Sequence, residues 1–305
     1  MPSLTNAPAA LAHRLSLHKL WLEEQPDGVR FQAERACWNE MRIERADLRA
    51  ALLSRTSFLE ADLAQSSLNL ADLSYCDFRR AVLTSVDFMG ARLEHAVFMS
   101  AFLNSAVFAD TTIADSDLSW ASMKLAMFQS ARVQKCLLNN VDLTGSYAQQ
   151  SNWTECNLTG ANLKEANFSR TTMSFCRLYA IDGERTNFSN AKLPGTDLSR
   201  SDLPQSKFNS SDLSKTQCNG TQFFAASFRE ANLQGTDFHG ANLESARFEN
   251  ARLRGADLRG ANLKNARDLT SDQLLSAITD QRTTLPSGMP GPYTKRSGAE
   301  RPAMR

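Results

Sequence analysis

From residue 43 onward, apolar and polar positions recur every five residues. Of the 45 sites spaced by five from Ile43 to Leu263, 43 hold Leu, Phe, Ile, Met, Val, Trp or Cys; only Ala148 and Gly183 depart. Random placement in a chain that is 42% apolar would fill roughly 19 of them. Two residues earlier stands a small side chain, Ala, Ser, Thr, Cys or Val, with Met41 and Ile181 as exceptions, and between the two Asp or Asn fills 21 of 45 positions. A helix cannot use this pattern, because five steps of about 100° advance the large residue by about 140° and scatter it around the axis. On an extended segment, residues two apart face the same way, so each unit predicts a short strand with two inward side chains and a turn. Nine of the 14 glycines fall two residues after the large site, where a positive φ suits a turn, and Pro194-Gly195 reads as a type II pair.

Phenylalanine sets the size of the coil. Phe88, Phe108 and Phe128, then Phe168, Phe188, Phe208, Phe228 and Phe248 are spaced by multiples of 20, and Phe58, Phe78, Phe98 and Phe238 form a second column offset by 10. Twenty residues per coil means four units and four faces. The prediction is an all-β quadrilateral solenoid over residues 31–267, with about 11 coils. The undersized Ala148 and Gly183 predict a bulge or loop near 146–153 and 181–183.

The repeating unit, seen in Ala61-Asp62-Leu63, Ala161-Asn162-Leu163 and Ala241-Asn242-Leu243, resembles that of the pentapeptide-repeat proteins. That resemblance implies a right-handed quadrilateral β-helix. It also implies two kinds of work: some similar proteins accompany bacterial secretion machinery, and others imitate duplex DNA and shield type II topoisomerases from inhibitors.

A parallel solenoid exposes unpaired strands at both ends and needs caps. Residues 1–30 are the expected N-terminal helical cap, with Leu11, Leu15, His18 and Leu22 at helical spacing. Residues 268–282 are the expected C-terminal cap, in which Thr270 to Gln273 reads as a capping box opening a helix whose apolar face holds Leu274, Leu275 and Ile278. Residues 283–305, with Pro286, Pro290, Pro292 and Pro302, are expected to form a mobile tail.

Composition narrows the function. A net charge of +1 and the absence of an 18-residue apolar run describe a cytoplasmic protein with no membrane span. Cys136, Cys156 and Cys176 lie 20 apart at the small inward site, but parallel strands give poor disulfide geometry, and no Cys/His spacing suits zinc. No metal or other cofactor is expected. His95 and His239 stand about seven coils apart and cannot share a site, so no catalytic residues and no small-molecule substrate are expected. A DNA mimic needs dense negative charge, yet residues 43–150 carry 9 basic and 12 acidic side chains (net −3) and residues 151–267 carry 15 and 12 (net +3). The basic group Arg247, Arg252, Arg254, Arg259, Lys264 and Arg267 would repel a DNA-binding saddle and otherwise reads as a solvated face.

What remains is a non-enzymatic protein-interaction scaffold or adaptor, with no nucleic-acid partner; the topoisomerase-protecting mimic is the alternative. The expected surface is the apolar load at outward positions between 82 and 147: Val82, Met89, Val97, Met99, Phe102, Val107, Trp120, Leu125, Met127, Leu137 and Tyr147. By column these residues cover three adjacent faces as one continuous patch, while the fourth face (91–95, 111–115 and 131–135) stays polar outside. The patch suits another protein or a second copy of the chain.

Overall fold

The computed structural model describes residues 8–302, in two compact units divided after Tyr147. Residues 1–7 of the expected cap and 303–305 of the expected tail lie outside the described residues. Each unit is a parallel β-solenoid in which residue i pairs with i+20, as in Val82↔Phe102 and Asn187↔Lys207. The N–H of Leu63 donates to the Val82 carbonyl, and the N–H of Val82 returns to Ala61. The third residue of every pentapeptide faces the core; Phe88, Leu93, Phe98 and Leu103, one on each face, are fully buried.

The turn explains the period. In most pentapeptides the carbonyl of the large residue accepts the N–H three residues on, as Phe58 does from Ala61; at Ala46, Ala96 and Ile181 that N–H donates instead to a serine hydroxyl one coil on. The residue before that N–H has φ between +50° and +70° at every fifth position from Arg45 to Asn265, glycine or not. A positive φ at the third turn residue is the mark of a type II turn. No Val, Ile, Thr or Pro occupies any of those positions, which is what left-handed geometry demands of L-residues.

Among the described residues, regular strands form on one face of each unit: β1 (Arg92–Glu94), β2 (Thr112–Ala114) and β3 (Arg132–Gln134) in the first, and β4 (Asn152–Thr154) and β5 (Thr172–Ser174) in the second. Regular strands account for about four turns, between residues 92 and 174, while single bridges carry the same i to i+20 pairing from Gln32 to Tyr147 in the first unit and from Asn157 to Arg267 in the second. The other segments pair through single bridges, because each straight run is cut by a turn after three residues.

The core is built of columns. Phe58, Phe78 and Phe98 stack at 4.8 Å, Phe88, Phe108 and Phe128 at 4.9 Å, and Phe168 through Phe248 at 5.1–5.6 Å. Most inward hydroxyls cost little, because they have partners: Thr111 donates to the Phe88 carbonyl at 2.8 Å and Thr236 to Leu213 at 2.7 Å, whereas the buried Ser146 hydroxyl has none. The expected bulges are not present. Ala148 keeps its ladder bond to Asn167 and Gly183 its bond to Asp202. Beside Ala148 the volume is supplied by Trp153, which packs edge-on to Phe168 and donates through Nε1 to the Ser151 hydroxyl at 2.7 Å. At Gly183 a Cβ would come within 2.5 Å of Leu203.

Both ends are closed. In α1 (Pro8–Leu22), His18 is fully buried and stacks on Trp21 at 5.5 Å. Its Nδ1 accepts the Phe31 N–H at 3.0 Å, so Nε2 carries the proton and donates to the Arg49 carbonyl at 3.0 Å. Burial pushes this imidazole below its usual range, against the raising effect of the Arg49 bond.

At the other end α2 spans only Ser271–Ser276, opened by the capping box of Thr270 and Gln273. Leu274 is buried, whereas Leu275 and Ile278 are exposed, because the chain leaves the helix and extends. The chain from Ser276 onward is docked, including the segment after 283 expected to be mobile: carbonyls of Ser276, Ile278, Thr284 and Pro286 accept the N–H groups of Gly255, Leu258, Leu263 and Asn265. Leu285 fills an inward place, and Tyr293 bonds Ser271 at 2.7 Å. The last coil leaves four backbone donors exposed, and this segment satisfies them.

Candidate functional site

The second residue of a pentapeptide points outward, and Asp or Asn there has a structural use. Asp87 accepts the Met89 N–H at 2.9 Å, Asp142 the Thr144 N–H at 3.1 Å, and Asn162 the Lys164 N–H at 3.2 Å. Each bond steadies the adjoining turn. An apolar side chain at this site forgoes the bond and adds exposed apolar surface. In the first unit eight such sites are apolar: Leu52, Val82, Val97, Phe102, Val107, Met127, Leu137 and Tyr147. In the second, none of the 23 from Asn152 to Asn262 is.

The ladders show how these residues sit together. Val82 pairs with Phe102 on one face; Val107, Met127 and Tyr147 succeed one another on the next. On a third face Val97 and Leu137 are separated by Asp117, which pairs with both. Ladder by ladder, the apolar residues thus form three groups on adjacent faces of the unit. Trp120 and Leu125 stand at corners, Met99 in the turn one coil before Trp120, and Met89 at a different corner, in the column of Leu70 and Gly90. Met89, Met99, Phe102, Trp120, Leu125, Leu137 and Tyr147 are exposed, Trp120 most of all at 62%; Val82, Val97, Val107 and Met127 are half-buried. Gly145 lets Leu125 lie flat, since a Cβ there would come within 2.9 Å of its side chain.

Sequence reasoning passed over Leu70, 69% exposed, and Tyr75, because the window began at residue 82. The exposed fifth position was the available signal. Tyr75 is held between Arg55, 4.6 Å from its ring, and His95, stacked at 4.7 Å.

The five buried thiols serve the core, whereas Cys37 is exposed. Cys76 donates to the Leu53 carbonyl at 3.0 Å, and burial pushes its thiol up to about 12. Cys136 and Cys176 donate to carbonyls one coil back, Ile113 and Trp153. Among the described residues no group of three or more His, Cys, Asp or Glu is placed to hold a metal ion, and no helix is long and apolar enough to cross a membrane.

Comparison with solved structures finds a protein involved in heterocyst differentiation regulation, HetL from the cyanobacterium Nostoc sp. strain PCC 7120. It is 21% identical, with 90% of this chain and 97% of that one covered at a TM-score of 0.35. QnrB1, a plasmid-mediated fluoroquinolone resistance protein, is 16% identical over 56% of this chain and 89% of its own, with a TM-score of 0.33. Rfr23 from the cyanobacterium Cyanothece 51142 is 29% identical over 45% and 89%, with a TM-score of 0.19. No curated protein matches. The pentapeptide repeats model matches in eight copies at residues 43–80, 70–98, 87–124, 136–174, 184–216 and 226–265. Repeats matched over more than half its length, folded into coils that pair i with i+20, make this chain a member of the pentapeptide repeat family.

Proposed function

We propose that the protein is a non-enzymatic interaction scaffold whose binding surface is the apolar load of the first unit. The observation that carries this reading is the contrast at the outward second position: eight apolar residues in one unit and none in the other, on the same backbone. A fold that gains a turn-capping bond from Asp or Asn gives it up there and places exposed apolar groups instead. Local rules broken without local benefit mark functional surface. Trp120 and Phe102 are the anchors, because large exposed aromatics dominate binding energy. The rival reading, a duplex mimic that shields a topoisomerase, asks for dense negative charge, and residues 43–150 carry a net −3.

Trp120→Ala with Phe102→Asp should abolish self-association in sedimentation and retention of partner protein in pull-down. Circular dichroism and melting should stay near wild type. Phe224→Asp, on the second unit, should change neither. Association that survives the double change removes this surface from the reading.

A further inference from the structure

The second unit breaks the same outward rule with charge. On one of its ladders Asn187 is succeeded by Lys207, Ser227, Arg247 and Arg267, four rungs in a row without Asp or Asn. These side chains line an open groove of about 370 Å³ with Gln205, Asn209, Ser245 and Arg229. Three of its groups are already engaged: Arg229 pairs with Glu249, and the Ser227 hydroxyl donates to Asn209 Oδ1 at 2.5 Å. Lys207, Arg247 and Arg267 are exposed and have no ion-pair partner among the described residues. Arg247 and Arg267 stand on adjacent rungs, ~4.8 Å apart, where like charges oppose one another. An anion between them would relieve that repulsion, and a guanidinium pair grips carboxylate or phosphate with parallel N–H donors.

We propose that this groove receives an acidic peptide segment of a partner protein. Lys207 and Arg247 lie two rungs apart, ~10 Å, which matches carboxylates three residues apart on a polyproline II chain, where residues i and i+3 share one face ~9 Å apart. Arg267, one rung further, meets the next carboxylate. The lining holds no aromatic side chain on which bases would stack. Glu249 at the lip and Glu230, which accepts from the Ser210 hydroxyl at 2.9 Å, interrupt the positive field. A uniformly charged phosphate backbone meets those carboxylates, whereas spaced acidic side chains pass between them. Gln205 and Ser245 supply neutral hydrogen-bonding groups for a peptide backbone.

The test uses the full chain and two peptides carrying a neutral dye, GEGGEEGG and its glutamine counterpart GQGGQQGG, read by fluorescence anisotropy. The acidic peptide should bind saturably below millimolar concentration and weaken as salt rises. Arg247→Glu with Arg267→Glu should weaken it about tenfold or more, and Lys207→Ala about threefold. Arg254→Glu, outside the groove lining, should leave it unchanged. Should the double reversal disturb melting, Arg247→Gln with Arg267→Gln removes the charge alone and should show the same direction. Equal binding of the glutamine peptide, unaltered binding by both double variants, or no saturation overturns the proposal. So does tighter binding of labelled oligothymidylate than of the acidic peptide, which would make the groove a nucleic-acid site, or full displacement by equimolar inorganic phosphate, which would make it a simple anion site.

Discussion

At the scale of the residue, the decisive position is the fifth of each pentapeptide, held near φ +57° whatever its side chain. Most residues there incur a small conformational cost, and for β-branched ones it is larger, because Cβ substituents crowd the backbone in the left-handed region. Ala225, with φ +55° on the second unit, isolates this effect. Ala225→Val should lower stability by about 1–2 kcal/mol, and Ala225→Gly should be neutral or slightly stabilising, read as shifts in the urea midpoint. A valine variant as stable as the glycine one would show that the corner is not held in this geometry. The glycines two residues after the large site made the turn legible; the absence of Val, Ile, Thr and Pro from all 45 corners carries the same information more strongly. Ala148 and Gly183 misled for a reason of volume. An undersized inward residue reads as a defect until Trp153 and Leu203 are seen in the space beside it.

At the scale of the element, the caps contrast in how far they could be read. Helical spacing announced α1, and the capping box announced α2. The docked segment beyond α2 was hidden, because a proline-rich stretch with few apolar residues looks unstructured until the unpaired N–H groups of the last coil are seen to need its carbonyls. His18 makes the N-terminal cap pH-sensitive. Its folded-state pKa is depressed by burial, so the unfolded chain takes up a proton more readily. The stability it contributes is fully present above the unfolded value near 6.5 and is lost as pH falls through that value toward the lower folded one. Wild type should therefore lose more stability between pH 7.5 and 5.5 than His18→Gln, which keeps an acceptor for Phe31 and a donor for Arg49 but cannot titrate. Identical pH dependence of the two urea midpoints would remove His18 as the source.

At the scale of the whole molecule, period, coil length and core columns were all legible, since each depends on side-chain volume repeated along one dimension. The outward surfaces were legible only as composition. The sequence shows which apolar residues face out, but not that Asp117 divides Val97 from Leu137, nor that Lys207, Arg247 and Arg267 line one groove. The same one-dimensional stacking makes the core intolerant of voids. Phe208 lies between Phe188 at 5.1 Å and Phe228 at 5.3 Å, with Phe223 edge-on at 5.7 Å. Backbone bonds from its rung, the Phe208 N–H to Ser227 and the Lys207 N–H to Thr186, hold the coils at fixed spacing. The neighbouring rings cannot close the gap without breaking ladder bonds. Phe208→Ala should therefore cost about 3–5 kcal/mol, the upper part of the range for core truncations. Lys215→Ala, at an exposed corner, should cost less than about 0.5 kcal/mol. Equal shifts of the denaturant midpoint for the two variants would mean that the column relaxes around the void and that the spacing is not held by the ladder.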